Sequence, residues 1–327
     1  MSEATALAHP NIALVKYWGK RDLTYNLPAA GSISMTLEGM LTRTNVRFDA
    51  ALERDTISVN GELLGASKAR RLERFMDRVR TLSGKNQFAH IQTVNDFPTA
   101  AGLASSASGF AALALAATSA AGLELDSKRL SILARLGSGS AARSVHAGWV
   151  EMLPGKLGDG SDCYARQIAD ESYWDLRCLV AVTAQGAKKI GSTEAMMSTA
   201  RTSPFYDAWV ADVPTAITQA LEAIKARDFA ALAATSEASC LRMHACAMGS
   251  DPGILYWKGV TVDLIHAVRS WREQQGIPVF FTIDAGPHIK AFCTADAEPK
   301  VAAMLAEFPG VLDVLHARAG RGARLEG

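Results

Sequence analysis

The sequence predicts an α+β fold. Strand-like and helix-like segments are mixed along its 327 residues without a strict β-α-β alternation. That length accommodates two domains of ordinary size with a substantial core. The pattern of predicted secondary structure changes near residue 175, where short mixed elements are followed by longer helical patterns. We therefore predict one domain over 1–175 and a second over 176–327.

Residue periodicity predicts the individual elements. The alternating run Phe88–Val94 and the run Asp55–Val59 predict strands, and Asn60-Gly61 after the latter predicts a tight hairpin turn. Ser67–Leu82 starts with serine and repeats apolar residues at helical spacing, which predicts an amphipathic helix. Apolar runs and helical patterns predict further strands at Asn11–Val15, Gly148–Leu153, Cys178–Thr183 and Val279–Ile283, and further helices at Ser105–Ala121, Ser127–Leu136, Val213–Ala226, Phe229–Ala247 and Thr261–Gln275.

Composition and charge exclude several classes of protein. Apolar residues make up 49% and charged residues 20%, as in a globular enzyme, and the formal net charge of +1 argues against a nucleic-acid or membrane-surface protein. We see no signal peptide, and the apolar run Phe110–Ala121 is too short to span a bilayer. The five cysteines are scattered without a Cys-x-x-Cys pair, which argues against disulfides or zinc. We expect a cytoplasmic enzyme with reduced thiols.

A run of small residues, Pro98–Gly109, joins a predicted strand to a predicted helix. Small residues let the backbone approach a ligand, and the amides and dipole of a helix N-terminus favour an anion. Ser105 and Ser106 add two hydroxyls for phosphate oxygens or a bound cation. The run is not a Walker A loop, because no Gly-Lys-Ser/Thr ends it. Taken alone, such a run more often marks a tightly packed helix start with a serine cap.

The segment Pro10–Asp22 delivers three cations to one end of a predicted strand. Lys16, Lys20 and Arg21 lie within six residues, directly after a buried run. Such clustering fits anion binding. Solvated lysines beside a core Tyr-Trp pair are an equally good interpretation of this segment alone.

The segment Gly137–Ser144 has the same features as the run Pro98–Gly109: small residues, hydroxyls and a predicted helix start. Arg143 lies one turn into it and has the fork geometry that binds phosphate through two donors. A structural salt bridge from Arg143 and a simple glycine turn is the alternative, and it is slightly preferred when the segment is taken alone.

Asp284 ends the apolar strand Val279–Ile283, before a Gly-Pro turn. Burial there raises a carboxyl pKa and a nearby lysine lowers it, which is how a general base is tuned. A turn-capping aspartate is the alternative. We interpret His288 as a turn residue rather than a ligand.

Together these four segments resemble the GHMP superfamily of small-molecule kinases and, within it, the diphosphomevalonate decarboxylase family. Shorter matches occur in the same order at Asn60-Gly61-Glu62, Gln167–Asp170 and Ser192-Thr193. The chain departs from the family pattern at His288, where Asn is expected, and at Ala142, where Cys is frequent. It is also shorter than the eukaryotic enzymes. The resemblance implies the GHMP-kinase fold, with an N-terminal domain like ribosomal protein S5 domain 2, a C-terminal α+β GHMP domain, and a site between them.

The resemblance also implies an activity: ATP-dependent decarboxylation of (R)-5-diphosphomevalonate to isopentenyl diphosphate, a step of the mevalonate pathway, with ATP and Mg²⁺ required. It implies catalytic roles for Asp284 and Lys16. It assigns substrate binding to Tyr17, Trp18, Gly19, Lys20, Arg70, Ser138, Gly139, Ser140, Ala141, Ala142, Arg143 and Thr193. It assigns ATP binding to Gly102, Leu103, Ala104, Ser105, Ser106 and Ser108. No protein metal motif is expected, since Mg²⁺ bridges ATP phosphates with few protein ligands.

Three alternatives stay open at this point. One is a phosphomevalonate decarboxylase or a kinase that stops after phosphorylating the 3-hydroxyl. Another is an ordinary GHMP kinase for a different small alcohol, and the third is a non-catalytic nucleotide-binding relative. The expected partner is the small-molecule substrate, with no nucleic acid or membrane, and the resemblance allows a homodimer.

Overall fold

Two large sheets and the helices packed on them organise the chain. The computed structural model describes residues 2–97, 105–186 and 189–327, with Ser67 and Lys68 by backbone only. Within these ranges the strands are β1 (Glu3–Ala8), β2 (Asn11–Val15), β3 (Lys20–Asp22), β4 (Leu27–Pro28), β5 (Ser32–Glu38), β6 (Thr42–Asp49), β7 (Thr56–Val59), β8 (Glu62–Leu63), β9 (Phe88–Asn95), β10 (Trp149–Met152), β11 (Ala165–Ala169), β12 (Leu176–Val182), β13 (Val279–Ile283), β14 (Ile289–Thr294), β15 (Asp313–Ala319) and β16 (Arg324–Leu325). The helices are α1 (Ala66–Ser83), α2 (Ser105–Ala120), α3 (Ser127–Gly137), α4 (Ala141–Ser144), α5 (Ser192–Thr202), α6 (Tyr206–Ala226), α7 (Phe229–Met248), α8 (Gly259–Gln275) and α9 (Glu298–Ala306).

The first sheet has the strand order β16-β1-β6-β9-β7-β8. Neighbouring strands are antiparallel except β7 and β9, which are parallel. Helix α2 packs on this sheet, and its alanine-rich sequence keeps its side chains short, so helix and strands approach closely. Phe75 and Met76 of α1 join Val46 and Ile91 of the sheet in the same core. This core supports the helix start that carries Ser105 and Ser106.

The second sheet has the order β11-β10-β5-β15-β12-β14-β13, with β2 pairing to β5. Strand β5 pairs with β15 through Leu37↔Ala319 and Glu38↔Arg318, so the sheet continues across residue 175. Strand β16 returns to pair with β1 of the first sheet. The first and last strands of the chain therefore lie side by side in one sheet. Because strands from before and after residue 175 share the second sheet, the division at residue 175 remains a prediction.

The second sheet brings the ends of β2 and β13 together. All five residues of each strand are buried. Helix α7 packs against both strands, and the Thr282 hydroxyl donates a hydrogen bond to the Ala13 carbonyl (3.4 Å). The residues that follow the two strands, Lys16 and Asp284, therefore leave the sheet side by side.

The structure confirms the predicted strands and helices in kind, with end shifts of a few residues in most cases. Asn60 and Gly61 have φ of 51° and 84°, the left-handed conformation that a tight hairpin requires. Helix α6 differs most, because it begins at Tyr206 and continues through Pro214, whereas the sequence predicted a start at Val213. The apolar packing of Trp209 and Val213 supports the additional turns. Sequence periodicity missed the strands β1, β3 to β6, β8, β11 and β14 to β16, and the helices α5 and α9.

All five cysteines are buried free thiols. Among the described residues, no helix combines the length and the apolar composition needed to cross a bilayer.

Candidate active site

The centre of the site is an ion pair between residues from opposite ends of the chain. The Nζ atom of Lys16 lies 2.5 Å from Oδ1 of Asp284. The lysine side chain is 1% exposed, whereas that of the aspartate is 25% exposed. The carboxylate therefore remains open to a ligand from one side, while its cationic partner is enclosed by protein.

Surrounding cations determine the ionisation of Asp284. Burial works to raise the pKa of its carboxyl, but attraction to Lys16, Lys290 and Arg143 outweighs burial and lowers the pKa to about 2. Lys290 is completely buried on β14, and its Nζ donates to the His288 carbonyl (3.4 Å). Burial, with repulsion from Lys16, lowers the pKa of Lys290. Asp284 is thus an anion at neutral pH.

Arg143 is buried beside this pair and held by two polar side chains. Its Nε donates to Asn11 Oδ1 (3.0 Å) and its Nη1 to Ser32 Oγ (2.8 Å). Burial lowers the pKa of the guanidinium to about 10, against attraction from Tyr17 and Asp284, so it remains a cation at neutral pH. No carboxylate among its described partners neutralises Arg143 directly, which leaves its charge available to an anion.

Tyr17 forms one wall of the site. Its ring centroid lies 5.7 Å from the Arg143 guanidinium, and burial raises its pKa, so the phenol keeps its proton. The hydroxyl is buried without a hydrogen-bond partner among the described residues. Gly139 lies against it so closely that an added Cβ would collide with the phenolic oxygen. An unpaired buried hydroxyl beside a glycine is suited to contact a ligand.

A chain of serine hydroxyls connects this centre with helix α2. Ser106 and Ser138 share a hydrogen bond of 3.3 Å, and Ser138 and Ser140 share one of 3.2 Å. Asn11 Nδ2 donates to the Ser140 carbonyl (2.9 Å) and to Ser144 Oγ (2.8 Å), which anchors the loop. The two small-residue segments that the sequence singled out therefore meet.

Ser108 does not face the site. It is completely buried, accepts a hydrogen bond from the Thr42 hydroxyl (2.7 Å) and donates to the Ser105 carbonyl (3.4 Å). Its position one turn into the helix points it at the sheet, so we withdraw it from the predicted ATP contacts. Gly102, Leu103 and Ala104 lie outside the described residues.

Beside the start of α2 lies a mostly apolar cavity of about 200 Å³. Its lining includes Ser105 and Ser106 together with apolar side chains such as Phe110 and Leu113. An apolar lining next to two hydroxyls at a helix start fits a purine base with phosphates bound at the serines. No group of three or more His, Cys, Asp or Glu among the described residues could hold a metal ion by itself.

A second, basic cavity of about 440 Å³ is lined by residues of α1 and by Leu136 and Gly137 at the end of α3. Lys20 Nζ donates to Thr193 Oγ1 (3.4 Å) at its edge. Burial, with repulsion from Arg71, lowers the pKa of Lys20 to about 8. Arg71 donates from Nε to the Gly137 carbonyl (2.8 Å), which places its charge next to the loop. The cavity is suited to an anionic ligand.

Arg71, and not the predicted Arg70, faces this cavity. Arg71, Arg74 and Arg78 line it together, and their i, i+3, i+7 spacing places them on one face of α1. Arg70 lies outside that stripe, is exposed, and is absent from the lining residues. The sequence prediction was displaced by one residue, which corresponds to about 100° around a helix.

Three other predicted substrate contacts have side chains buried in the scaffold, and a fourth, Gly19, offers only its backbone. Trp18 is 2% exposed and packs edge-to-face on Tyr256 in the core, and Ala141 and Ala142 are completely buried. Gly19 has φ of 88° and lies against the Tyr206 hydroxyl, so only its backbone is available to a ligand. These positions shape the site from behind.

His288, the departure from the family pattern, is also structural. It is 1% exposed, and its Nδ1 accepts a hydrogen bond from the Thr183 amide (3.1 Å). The imidazole therefore ties the turn after Asp284 to the end of β12.

Sequence reasoning missed Arg71, Lys290 and the anchoring role of Asn11. For Lys290 a signal was present, because a lysine inside the apolar run Ile289–Thr294 requires a buried counter-charge. For Arg71, the phase of the apolar residues of α1 was the usable signal.

Comparison with known proteins gives a consistent result across the chain. Residues 8–165 match the family model of the diphosphomevalonate decarboxylase-like N-terminal domain, and residues 178–320 match that of the mevalonate 5-diphosphate decarboxylase C-terminal domain. The diphosphomevalonate decarboxylase of Homo sapiens is 35% identical over 94% of this chain and 81% of its own length. That of Eremothecium gossypii is 37% identical over 95% and 82%.

Solved structures agree with the sequence relatives. A structure described as MDDEF in complex with MVAPP, AMPPCP and magnesium superimposes with a TM-score of 0.92 at 38% identity, over 99% of this chain and 98% of that one. Mevalonate diphosphate decarboxylase from Staphylococcus aureus has a TM-score of 0.93 at 36% identity, with the same coverage. The fold is thus the predicted two-domain α+β fold of these enzymes, and the chain belongs to the diphosphomevalonate decarboxylase family.

Proposed function

We propose that the chain catalyses the ATP-dependent decarboxylation of (R)-5-diphosphomevalonate to isopentenyl diphosphate. ATP phosphorylates the tertiary 3-hydroxyl, giving ADP. The carbon–carboxylate bond then breaks, its electron pair forms the alkene, and phosphate and CO₂ leave. The observation that carries the proposal is the Lys16–Asp284 ion pair, open on the carboxylate side and flanked by Arg143.

Asp284 orients the substrate hydroxyl. A carboxylate with a pKa of about 2 is a weak base, so it holds the hydroxyl by accepting its hydrogen bond and takes the proton only as the phosphoryl group arrives. A loose phosphoryl-transfer transition state requires little nucleophile deprotonation beforehand. The structure therefore favours the orienting role over early deprotonation.

Lys16 stabilises the charge that develops during the transfer. Its ammonium lies within hydrogen-bond distance of Asp284 and is 1% exposed, so its field is weakly screened. Ser105 and Ser106 would hold the ATP phosphates at the start of α2, and the apolar cavity next to them would take the base. Bound Mg²⁺ supplies a positive charge that bridges the ATP phosphates.

The remaining cations bind the substrate. Tyr17 lies beside Arg143 and against Gly139, and the Ser138–Ser140 loop follows Gly137, whose carbonyl Arg71 contacts. In the basic cavity Lys20, Thr193 and Arg71 would receive the diphosphate. The number of cations favours a diphosphate over a monophosphate. We therefore replace Arg70 by Arg71 in the proposed substrate site.

The direct test is turnover by the purified protein with ATP and Mg²⁺. We expect release of CO₂ and phosphate from diphosphomevalonate much faster than from the monophosphate. The opposite preference would reassign the substrate. Phosphorylation without CO₂ would indicate a 3-kinase, and nucleotide binding without turnover would indicate a non-catalytic relative.

The compartment and the assembly are part of the proposal. Five buried free thiols support a reducing compartment, which we propose is the cytoplasm, and fractionation of the native cells tests it. The homodimer that the resemblance allows remains a prediction. Sedimentation of the purified protein at the mass of a single chain would contradict it.

A further inference from the structure

Helix α7 contacts the backbone on both sides of the Lys16–Asp284 pair. Strand β13, which ends just before Asp284, pairs with β14 on one side only among the described strands. Its other edge exposes N–H and C=O groups that no strand satisfies. Burial without partners would cost free energy, so these groups require polar side chains.

Three side chains of α7 fill that requirement. Glu237 Oε1 accepts from the Phe281 amide (3.2 Å), Cys240 Sγ accepts from the Ile283 amide (3.2 Å), and His244 Nε2 lies 3.2 Å from the Ile283 carbonyl oxygen. The spacing 237, 240, 244 places all three on one helix face. This face of α7 takes the place of a neighbouring strand, up to the residue before Asp284.

His244 is the last of these residues along α7, and it contacts the Ile283 carbonyl, next to Asp284, together with the Cys240 thiol (3.6 Å). A carbonyl oxygen only accepts hydrogen bonds, so Nε2 carries the proton and donates. Burial, and to a smaller extent repulsion from Lys16, lowers the pKa of His244 to about 3, which keeps the ring neutral. The imidazole is 2% exposed. Its orientation is therefore set by packing and it cannot turn to water.

The same helix holds Lys16. Ser239 precedes Cys240, is 3% exposed, and its Oγ accepts from the Lys16 amide (2.9 Å). Neighbouring residues of one rigid helix thus bind the backbone of Lys16 and that of Ile283. The two strand ends are joined to a common support, as well as to each other through the ion pair.

We propose that Ser239 and His244 are positioning residues that fix the separation and orientation of Lys16 and Asp284, an inference that rests on the proposed function of that pair. Neither residue touches the reacting atoms. Displacement of a reacting group by about 1 Å costs on the order of 100-fold in rate, so loss of either contact lowers turnover more than binding.

The test uses two pairs of variants of the full-length enzyme. His244→Leu removes the donor, whereas His244→Gln keeps a side-chain N–H. Ser239→Ala removes the acceptor, whereas Ser239→Thr keeps it. We expect kcat to fall about 10- to 100-fold in the Leu and Ala variants, with KM for ATP and diphosphomevalonate changing less than about threefold, and substantial recovery in the Gln and Thr variants.

Ser236→Ala is the matched control. Ser236 lies on the same helix and is completely buried, but its hydroxyl has no hydrogen-bond partner among the described residues. We expect its kcat to stay within about twofold of the parent. A loss as large as that of Ser239→Ala would show that any polar deletion in α7 disturbs the site, and would overturn the inference.

A combination with Asp284→Asn separates positioning from general stability. If His244 acts through Asp284, His244→Leu lowers the residual activity of Asp284→Asn by less than about twofold, because there is no longer a carboxylate to place. An equal further loss in that background overturns the inference, as does a rise in KM with unchanged kcat. Should His244→Leu fail to fold, Ser239→Ala compared with Ser239→Thr decides by the same criteria. An unmodified enzyme that does not release CO₂ would instead refute the proposed function.

Discussion

The buried ion-pair centre and the basic cavity both concentrate positive charge, but in different surroundings. At the centre, Lys16, Lys290 and Arg143 are each at most 2% exposed and surround one carboxylate. In the cavity, Lys20 and the arginines of α1 line an open space of about 440 Å³ without a described carboxylate among the lining residues. Enclosed charges interact strongly because little water screens them, whereas open charges are screened by water and salt.

This difference assigns the two regions different tasks. At the centre each charge is fixed by its neighbours, so a change in one group alters the geometry and ionisation of the others. In the cavity the cations have no carboxylate partner among the described lining residues and act on whatever anion enters. Substitutions of the Lys16–Asp284 pair should therefore lower kcat, and substitutions in the cavity should raise KM.

Asp284→Asn is expected to have the largest effect. Asn keeps the shape of the side chain but not the charge, so the hydroxyl is no longer oriented and the proton has no acceptor. We expect kcat to fall about 1000-fold or more, while ATP binding, which involves a separate cavity, stays near normal. Single-turnover release of CO₂ and binding of an ATP analogue measure the two. A kcat close to that of the parent enzyme would remove Asp284 from the mechanism.

Arg143→Ala should give the next largest effect, because this residue adjoins both regions. The variant lacks a buried cation near the proposed substrate site and the hydrogen bonds of that cation to Asn11 and Ser32. We expect the KM for diphosphomevalonate to rise about 100-fold with little change in ATP affinity. Arg143→Lys keeps the charge without the two-pronged geometry and should recover only part of the loss. A large loss of ATP affinity would instead indicate that Arg143 contacts the ATP phosphates and not the substrate diphosphate.

Arg71→Gln and Arg70→Gln form a matched pair in the cavity. Both remove one positive charge from the same turn of α1, but only Arg71 lines the cavity. We expect the KM for diphosphomevalonate to rise about 10-fold for Arg71→Gln and less than about twofold for Arg70→Gln. Steady-state kinetics at two salt concentrations measures both. Equal effects would mean that long-range charge, and not position, matters.

The smallest expected effect is a pH dependence of substrate binding. The pKa of Lys20 is lowered to about 8, so its ammonium is present below pH 8 and is lost as the pH rises above it. The phosphate charges of the substrate are already complete in that range. The KM for diphosphomevalonate should therefore rise several-fold between pH 8 and pH 9. Lys20→Arg, which stays protonated, should abolish the rise, and persistence of the rise in that variant would refute the assignment to Lys20.

Sequence periodicity predicted most of the helices and several buried strands, but it missed helices α5 and α9, the buried strands β5 and β14, and most of the early strands. The apolar face of α1 and the alanine run of α2 are local patterns that specify a helix without reference to the rest of the chain. Strands β1, β5 and β6 obtain their partners from distant segments, as in the pairing of β5 with β15 and of β1 with β16. Such strands have weak local signals because sheet pairing depends on tertiary context.

The candidate site divides in the same way. Motif order placed Lys16, Arg143 and Asp284 in one family pattern, and the structure brings them together. Arg70 and Ser108 were misassigned because a segment-level match does not resolve which way each side chain points. Lys290 was overlooked although its place in an apolar run was a usable signal. Ser239 and His244 gave no such signal, because their significance lies in contacts with residues far away in the chain.

The amino-acid sequence by itself determined which chemical groups are present and where most of the helices lie, because residue type and periodicity are local properties. Only the tertiary structure decided that Lys16 meets Asp284 across 268 residues, that Arg71 and not Arg70 turns toward the ligand space, and that α7 supports both strand ends. Those outcomes depend on strand pairing and on the packing phase of helices. Both are set by the burial of the whole chain rather than by any one segment.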